Sequence, residues 1–223
     1  MRAYNAGQQE KLPKAERIDF EPTWFKQALA QPGESRRLPF RGRHIHTLHW
    51  KPHQKAPGIV LLHGNGAHAR WFDFIAPLLF PQYHIVALDL PGMGDSDWLE
   101  HYSREIMAEA VIETVRQSGF DSKPALVAHS FGGMIGVVAS HLYGNELAAT
   151  LICDYISPPP EYHEEWYSDR DNSPPTRVYK TKEEALHRFR LMPEQPCENE
   201  FIIDYIGDLS IRDLNQDDGI IRD

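Results

Sequence analysis

One short segment carries the residue types best suited to covalent chemistry: Ala128-His129-Ser130-Phe131-Gly132-Gly133. It lies between an apolar run, Ala125 to Ala128, with the composition of a buried strand, and a helical pattern that opens at Phe131. A strand that turns sharply into a helix holds the turn residue in a strained backbone conformation and requires small residues two positions before and two after it. Ala128 and Gly132 supply them. Such a turn lifts the Ser130 hydroxyl outward as a nucleophile for an acyl carbon and aims the Phe131 amide, at a helix N-terminus, toward the developing oxyanion. A serine before a helix can also be no more than an N-cap, but the small flanks favour the nucleophile.

A second oxyanion donor must come from another loop, and Leu62-His63-Gly64-Asn65-Gly66 follows an apolar run that reads as a strand. Gly64 and Gly66 would let main chain approach a ligand closely, and the Asn65 amide is the expected donor. His63 invites a reading as catalytic base, but its place at a strand end beside the oxyanion loop predicts an orienting hydrogen bond. His129 adjoins the nucleophile in sequence and is expected to point away from it.

The elements that position these residues are legible as alternating patterns. The spacing predicts a short helix from Pro22 to Ala30, strands at Arg36 to Phe40 and His44 to Trp50 joined at Gly42, and a strand at Gly58 to Leu62. A helix over Arg70 to Leu79 follows, kinked or shortened by Pro77. Strand His84 to Leu88, helix Ser103 to Ser118 with Ser103 as N-cap, strand Ala125 to Ala128, helix Phe131 to Tyr143 and strand Leu147 to Cys153 complete the alternation. Apolar strands alternating with helices imply a mainly parallel sheet covered on both faces. After Ser157 come Pro158-Pro159-Pro160 and Ser173-Pro174-Pro175 with Tyr162, Trp166 and Tyr167 between them, an excursion from the sheet. Thr181 and Glu184 form a capping box before one further helix, and Phe201, Ile202, Tyr205, Ile206 and Leu209 mark another.

Over Arg36 to Pro160 the chain resembles the α/β-hydrolase family. His63-Gly64-Asn65-Gly66 is similar to its oxyanion loop, Asp89-Leu90-Pro91-Gly92-Met93-Gly94-Asp95-Ser96 to its next strand and loop, and His129-Ser130-Phe131-Gly132-Gly133 to its nucleophile elbow. The resemblance implies an N-terminal arm and short helix over 1–33, an α/β-hydrolase core over 34–157, and a partial helical cap or lid over 158–223. It implies a serine hydrolase of small carbonyl substrates (carboxylic esters, lactones, thioesters or activated carbon-carbon bonds) that uses no cofactor and no metal. Family members continue past the cap with two more strands that carry the acid and the histidine. Neither strand is found, so the fold is expected to be C-terminally incomplete, with an apolar sheet edge through which copies could self-associate. Asp154, at the end of the Leu147 strand, is the candidate acid; a capped strand end is its plainer reading. His163 and His187 both fall in cap-like sequence, which leaves the base unassigned.

The other function classes have weaker support. Gly64-Asn65-Gly66-Ala67-His68-Ala69 with Asp89 fits a dinucleotide fingerprint and would make an NAD(P)-binding oxidoreductase, but that leaves the Ser130 turn unexplained. His44, His46 and His49 copy part of a metallohydrolase pattern, although strand alternation puts His49 on the opposite face from the other two. A catalytically incomplete domain that binds a ligand or partner shares every motif with the enzyme. The 223 residues carry a formal net charge of −9, with Lys and Arg concentrated toward the N-terminus and Asp and Glu toward the C-terminus. That balance argues against a nucleic-acid partner. No membrane span or secretory leader is recognised, so the expected location is the cytoplasm. Cys153 and Cys197 are too few for a disulfide framework and read as structural.

Overall fold

A computed structural model describes residues 21–155, 179–191 and 197–211 of the chain. Six strands form one sheet in the order β1-β2-β4-β3-β5-β6: β1 (Glu34–Phe40), β2 (Arg43–Trp50), β3 (Gly58–Leu62), β4 (His84–Leu88), β5 (Ala125–His129) and β6 (Ala149–Cys153). β3 to β6 pair in parallel, while β1 and β2 are an antiparallel hairpin laid against β4. That hairpin closes on Arg41 and Gly42, both with positive φ (49° and 75°), the two-residue turn whose twist matches its strands.

The central strands are apolar on both sides because both sides are covered. One face packs Val60, Leu62, Leu88, Leu126 and Ala128 against α3 (Arg104–Gln117) and α4 (Phe131–Tyr143). Ser103 caps α3, its hydroxyl accepting the Ile106 amide at 3.2 Å, and Met107, Ala110, Val111, Thr114 and Val115 turn inward at helical spacing. The other face packs Leu61, Ile85 and Ala87 against 69–80. There the chain departs from the single helix expected over Arg70 to Leu79. It makes a 3-10 turn, Ala69–Phe72, and then a one-turn helix α2 (Ala76–Leu79). Pro77 is the reason: without an N–H it cannot continue a helix begun upstream, but it fits the first turn of a new one.

α1 (Thr23–Leu29), α5 (Lys182–Arg188) and α6 (Glu200–Ser210) come from the two ends of the described chain. Phe25, Ala28, Phe74 and Ile206 are buried together, with Trp71, Phe201 and Tyr205 packed on them. The Phe25 ring meets Phe201 edge to face at 4.9 Å between centroids. The opposite margin is barer. Ile152 of β6 faces the glycines of α4, so its neighbour Leu151 points to the other side, where it is 58% exposed. No described helix is long and apolar enough to cross a membrane. The proline-rich excursion with Tyr162, His163, Trp166 and Tyr167 lies outside the described residues.

Three buried imidazoles make the fold sensitive to acid. Burial pushes His49 down to about 3 and His68 and His84 down to about 4. Both ring nitrogens of His84 are buried without a hydrogen-bond partner. An unfolded histidine takes up its proton near 6.5, so below that value protons bind the unfolded chain first. Stability is therefore complete above about pH 6.5 and falls as the pH drops toward 4. A thermal melt series across that window is expected to show Tm falling with pH, by about 2–4 °C for each kcal/mol lost. A flat Tm would mean that these rings are already solvated in the folded state.

Candidate active site

β5 ends at His129 and α4 begins at Phe131, leaving Ser130 alone to make the turn. Its backbone is at φ 53°, ψ −120°, a conformation that only glycine adopts freely. Strain of this kind amounts to about 1–3 kcal/mol and persists only where the surroundings impose it. Here the Ser130 amide donates to the Cys153 carbonyl of β6 at 2.9 Å, and the Ser130 carbonyl accepts from Gly133 at 2.8 Å. Main-chain bonds on both sides thus pin the turn.

The loop after β3 comes up against this serine. A methyl group placed on Gly64 would stand 3.2 Å from Ser130 Cβ and 3.6 Å from Ser130 Oγ. Gly64 to Ala67 form a tight turn, closed by the Ala67 amide on the Gly64 carbonyl at 3.3 Å, with Gly66 at φ 67°. The Asn65 N–H takes no part in that closing bond, and Asn65 is exposed. Phe131 is the first residue of α4, so its N–H has no partner within the helix. Gly132 is required by contact: a Cβ there would overlap the carbonyl oxygen of His63 and come within 3.0 Å of the Leu62 carbonyl oxygen. Ala128, fully buried, lies under Gly136 of α4.

His63 is only 1% exposed and both of its ring nitrogens are occupied. Nδ1–H donates to the Gly64 carbonyl at 2.7 Å, and Nε2 accepts the Leu90 amide at 3.1 Å. Burial holds its pKa below the ordinary histidine value. The ring is a neutral strut tying the loop after β3 to the loop after β4. His129 does not turn wholly away from Ser130. Its Nδ1 borders the same face of Gly64 as Ser130, and its Nε2 is 4.0 Å from the Asp154 carboxylate.

Asp154 follows Cys153 directly at the end of β6, at φ 53°, with its side chain 88% exposed. Among the described residues its carboxylate meets His129 and no imidazole that also meets Ser130. No described imidazole bonds Ser130 Oγ. His187 is exposed on α5.

Asp89, 2% exposed at the end of β4, organises the neighbouring loops. Its carboxylate accepts from His46 Nδ1–H at 2.7 Å, from the Asp95 amide at 2.8 Å and from the Ala69 amide. A Cβ on Gly94 would overlap that carboxylate. Burial raises the Asp89 pKa, but the His46 hydrogen bond and the two amides together hold it below its ordinary value. These contacts remove the dinucleotide reading, since the acid is buried on Ala69 and the chain enters a 3-10 turn where the pyrophosphate helix should begin. His46, Asp89 and Asp95 bring potential ligand atoms within 4.8 Å of one another, but Asp89 faces N–H donors where a cation would need lone pairs. His44 pairs instead with Asp97, and His49 with Thr47.

Above the loop, His68 Nε2 and the Ser210 hydroxyl of α6 are 2.9 Å apart, and Tyr205 donates to Asp73 at 2.7 Å. The two fasteners hold α6 against the segment that leaves the turn at Gly64 to Ala67. Sequence reasoning found neither, because each joins positions far apart in the chain.

A family model described as "Alpha/beta hydrolase family" matches residues 59–213. Among curated relatives, a pimeloyl-[acyl-carrier protein] methyl ester esterase of Methylococcus capsulatus is 34% identical over 101 residues, covering 44% of this chain and 37% of that protein. A 2-hydroxy-6-oxo-6-(2'-aminophenyl)hexa-2,4-dienoic acid hydrolase of Metapseudomonas resinovorans is 27% identical over 116 residues, covering 50% and 40%. The chain thus spans about two fifths of the length of these relatives. Among solved structures, a thioesterase domain from the curacin biosynthetic pathway superposes with a TM-score of 0.63 at 21% identity, over 82% of this chain and 67% of that one.

Proposed function

The chain belongs to the alpha/beta hydrolase family, and from that premise we propose that it is a serine hydrolase of small carboxylic esters or thioesters, with Ser130 as nucleophile. The observation that carries this is the strained backbone of Ser130, pinned beside Gly64 at the start of α4. Ser130 Oγ attacks the carbonyl carbon, and the Asn65 and Phe131 amides receive the negative charge that moves to the carbonyl oxygen. The alcohol or thiol leaves with a proton, and water then releases the acid from the acyl-serine. Asp154 is the proposed acid that orients the base, and the base is an imidazole supplied from outside the described residues. The name of one relative, a methyl ester esterase, supports the ester class, and that of another, the hydrolase of an oxo acid, is in keeping with a carbonyl substrate.

A fluorophosphonate probe followed by peptide mapping tests the nucleophile, and short-chain p-nitrophenyl esters test turnover. An adduct on Ser130 with ester hydrolysis is the expected result. Turnover without an adduct at Ser130 would overturn the assignment. A second reading, a hydrolase-like domain that binds without reacting, is favoured by one observation: no described imidazole bonds Ser130 Oγ. Saturable ester binding with neither adduct nor turnover would establish it.

A further inference from the structure

Ser130 has the turn of a nucleophile but no described imidazole bonded to its hydroxyl, whereas a second serine has the imidazole without the turn. Ser35, exposed on β1, lies with its hydroxyl 2.9 Å from Nε2 of His46, and Nδ1 of the same ring lies 2.7 Å from Asp89. His46 is 3% exposed and Asp89 2%, so the couple is dry while its serine faces solvent. We propose that Ser35, His46 and Asp89 form a second serine relay, in which Ser35 is a nucleophile toward activated acyl and phosphonyl donors.

The hydrogen-bond directions follow from the partners. Asp89 already accepts the Ala69 and Asp95 amides and is an acceptor for the ring as well, so Nδ1 of His46 carries the proton. In a neutral imidazole Nε2 is then the lone-pair nitrogen, and the Ser35 hydroxyl must donate to it. This is the order of contacts by which a serine loses its proton to a histidine oriented by a buried carboxylate. Strand pairing builds it: β2 lies between β1 and β4, so His46 reaches outward to Ser35 and inward to Asp89. The other charged groups around the ring are Arg37, directly across from His46 in the register and tied to Asp97, and Asp95.

With an aryl ester, the Ser35 Oγ–C bond forms as the hydroxyl proton passes to His46 Nε2. The C–O bond to the phenol breaks, and that proton leaves on the phenol oxygen, giving acyl-Ser35. With an alkyl fluorophosphonate, the Oγ–P bond forms, the P–F bond breaks, and fluoride departs with the proton held by His46.

The test uses the full chain as Ser130→Ala, treated with a fluorophosphonate and mapped by peptide mass. One adduct on the peptide containing Ser35 is expected, absent from Ser130→Ala/Ser35→Ala. The labelling rate should rise with pH and then level off, as imidazole-assisted attack does, and should drop about 100-fold in Ser130→Ala/His46→Gln. No adduct on Ser35 would overturn the proposal. So would a rate that climbs tenfold per pH unit from pH 6 to 9, or one unchanged by a folded His46→Gln variant, because either marks an ordinary exposed alcohol. The pH profile needs no change at His46 and decides the matter if that variant fails to fold. Ser35→Ala alone should leave adduct formation at Ser130 as it was.

Discussion

Replacing Ser130 by alanine is expected to abolish the adduct at that position and lower kcat for ester hydrolysis by a factor on the order of 10^4 to 10^6, measured with p-nitrophenyl esters. The residual rate would come from binding and the two amides, which the substitution leaves in place, and from reaction of the aryl ester at Ser35. The fold should not register the change. Ser130 Oγ has no hydrogen-bond partner among the described residues, and alanine has the same Cβ to accommodate at φ 53°. The stability read from a thermal melt should therefore stay within about 0.5 kcal/mol of the parent. Ser130→Gly separates the two roles of the position: it should be as inactive as the alanine variant but more stable by about 1 kcal/mol, since glycine adopts that backbone without strain. An alanine variant with parental turnover would move the nucleophile elsewhere in the molecule.

Gly132→Ala is expected to damage stability and rate together. The added methyl group meets the His63 carbonyl oxygen inside contact distance, with the Leu62 carbonyl oxygen at 3.0 Å, and these are main-chain atoms at the end of a central strand. Neither can rotate aside as a side chain would. Either the start of α4 lifts, carrying the Phe131 amide with it, or the loop bearing Asn65 is pushed back. A displacement near 1 Å between reacting groups lowers the rate by about 10^2, and overpacking of this kind costs about 1–3 kcal/mol. kcat/KM with a short-chain ester and Tm from one preparation check both. Gly136→Ala is the milder comparison, because its nearest neighbour is the Ala128 methyl group at 3.0 Å, a softer contact than main chain.

The elbow was legible in the sequence because its requirements are local: a strand, a turn, a helix and small residues at fixed offsets. What Gly132 avoids was not legible, since His63 stands far from it in the chain and meets it only once β3 and β5 pair. The same holds for Asp89. Sequence pattern placed it at a strand end, but strand order is what sets His46 beside it, so a histidine that resembled a fragment of a metal motif became part of a buried hydrogen-bond chain. Apolar spacing over 70–79 suggested one helix, and Pro77 divided it. Burial of His84 with both nitrogens unpartnered had no signal in the sequence at all, because position 84 reads as one more residue of a strand.

The aromatic cluster that unites α1 with α6 has a consequence for the order of assembly. The strands and their two main helices pair with near neighbours in sequence, but Phe25 finds Phe201 only after all six strands and those helices have been made. Closing so long a loop is entropically slow relative to local pairing. On the ribosome, the sheet can take shape while Phe25 and Phe74 wait with greasy rings in water. Those rings are covered only on the arrival of α6.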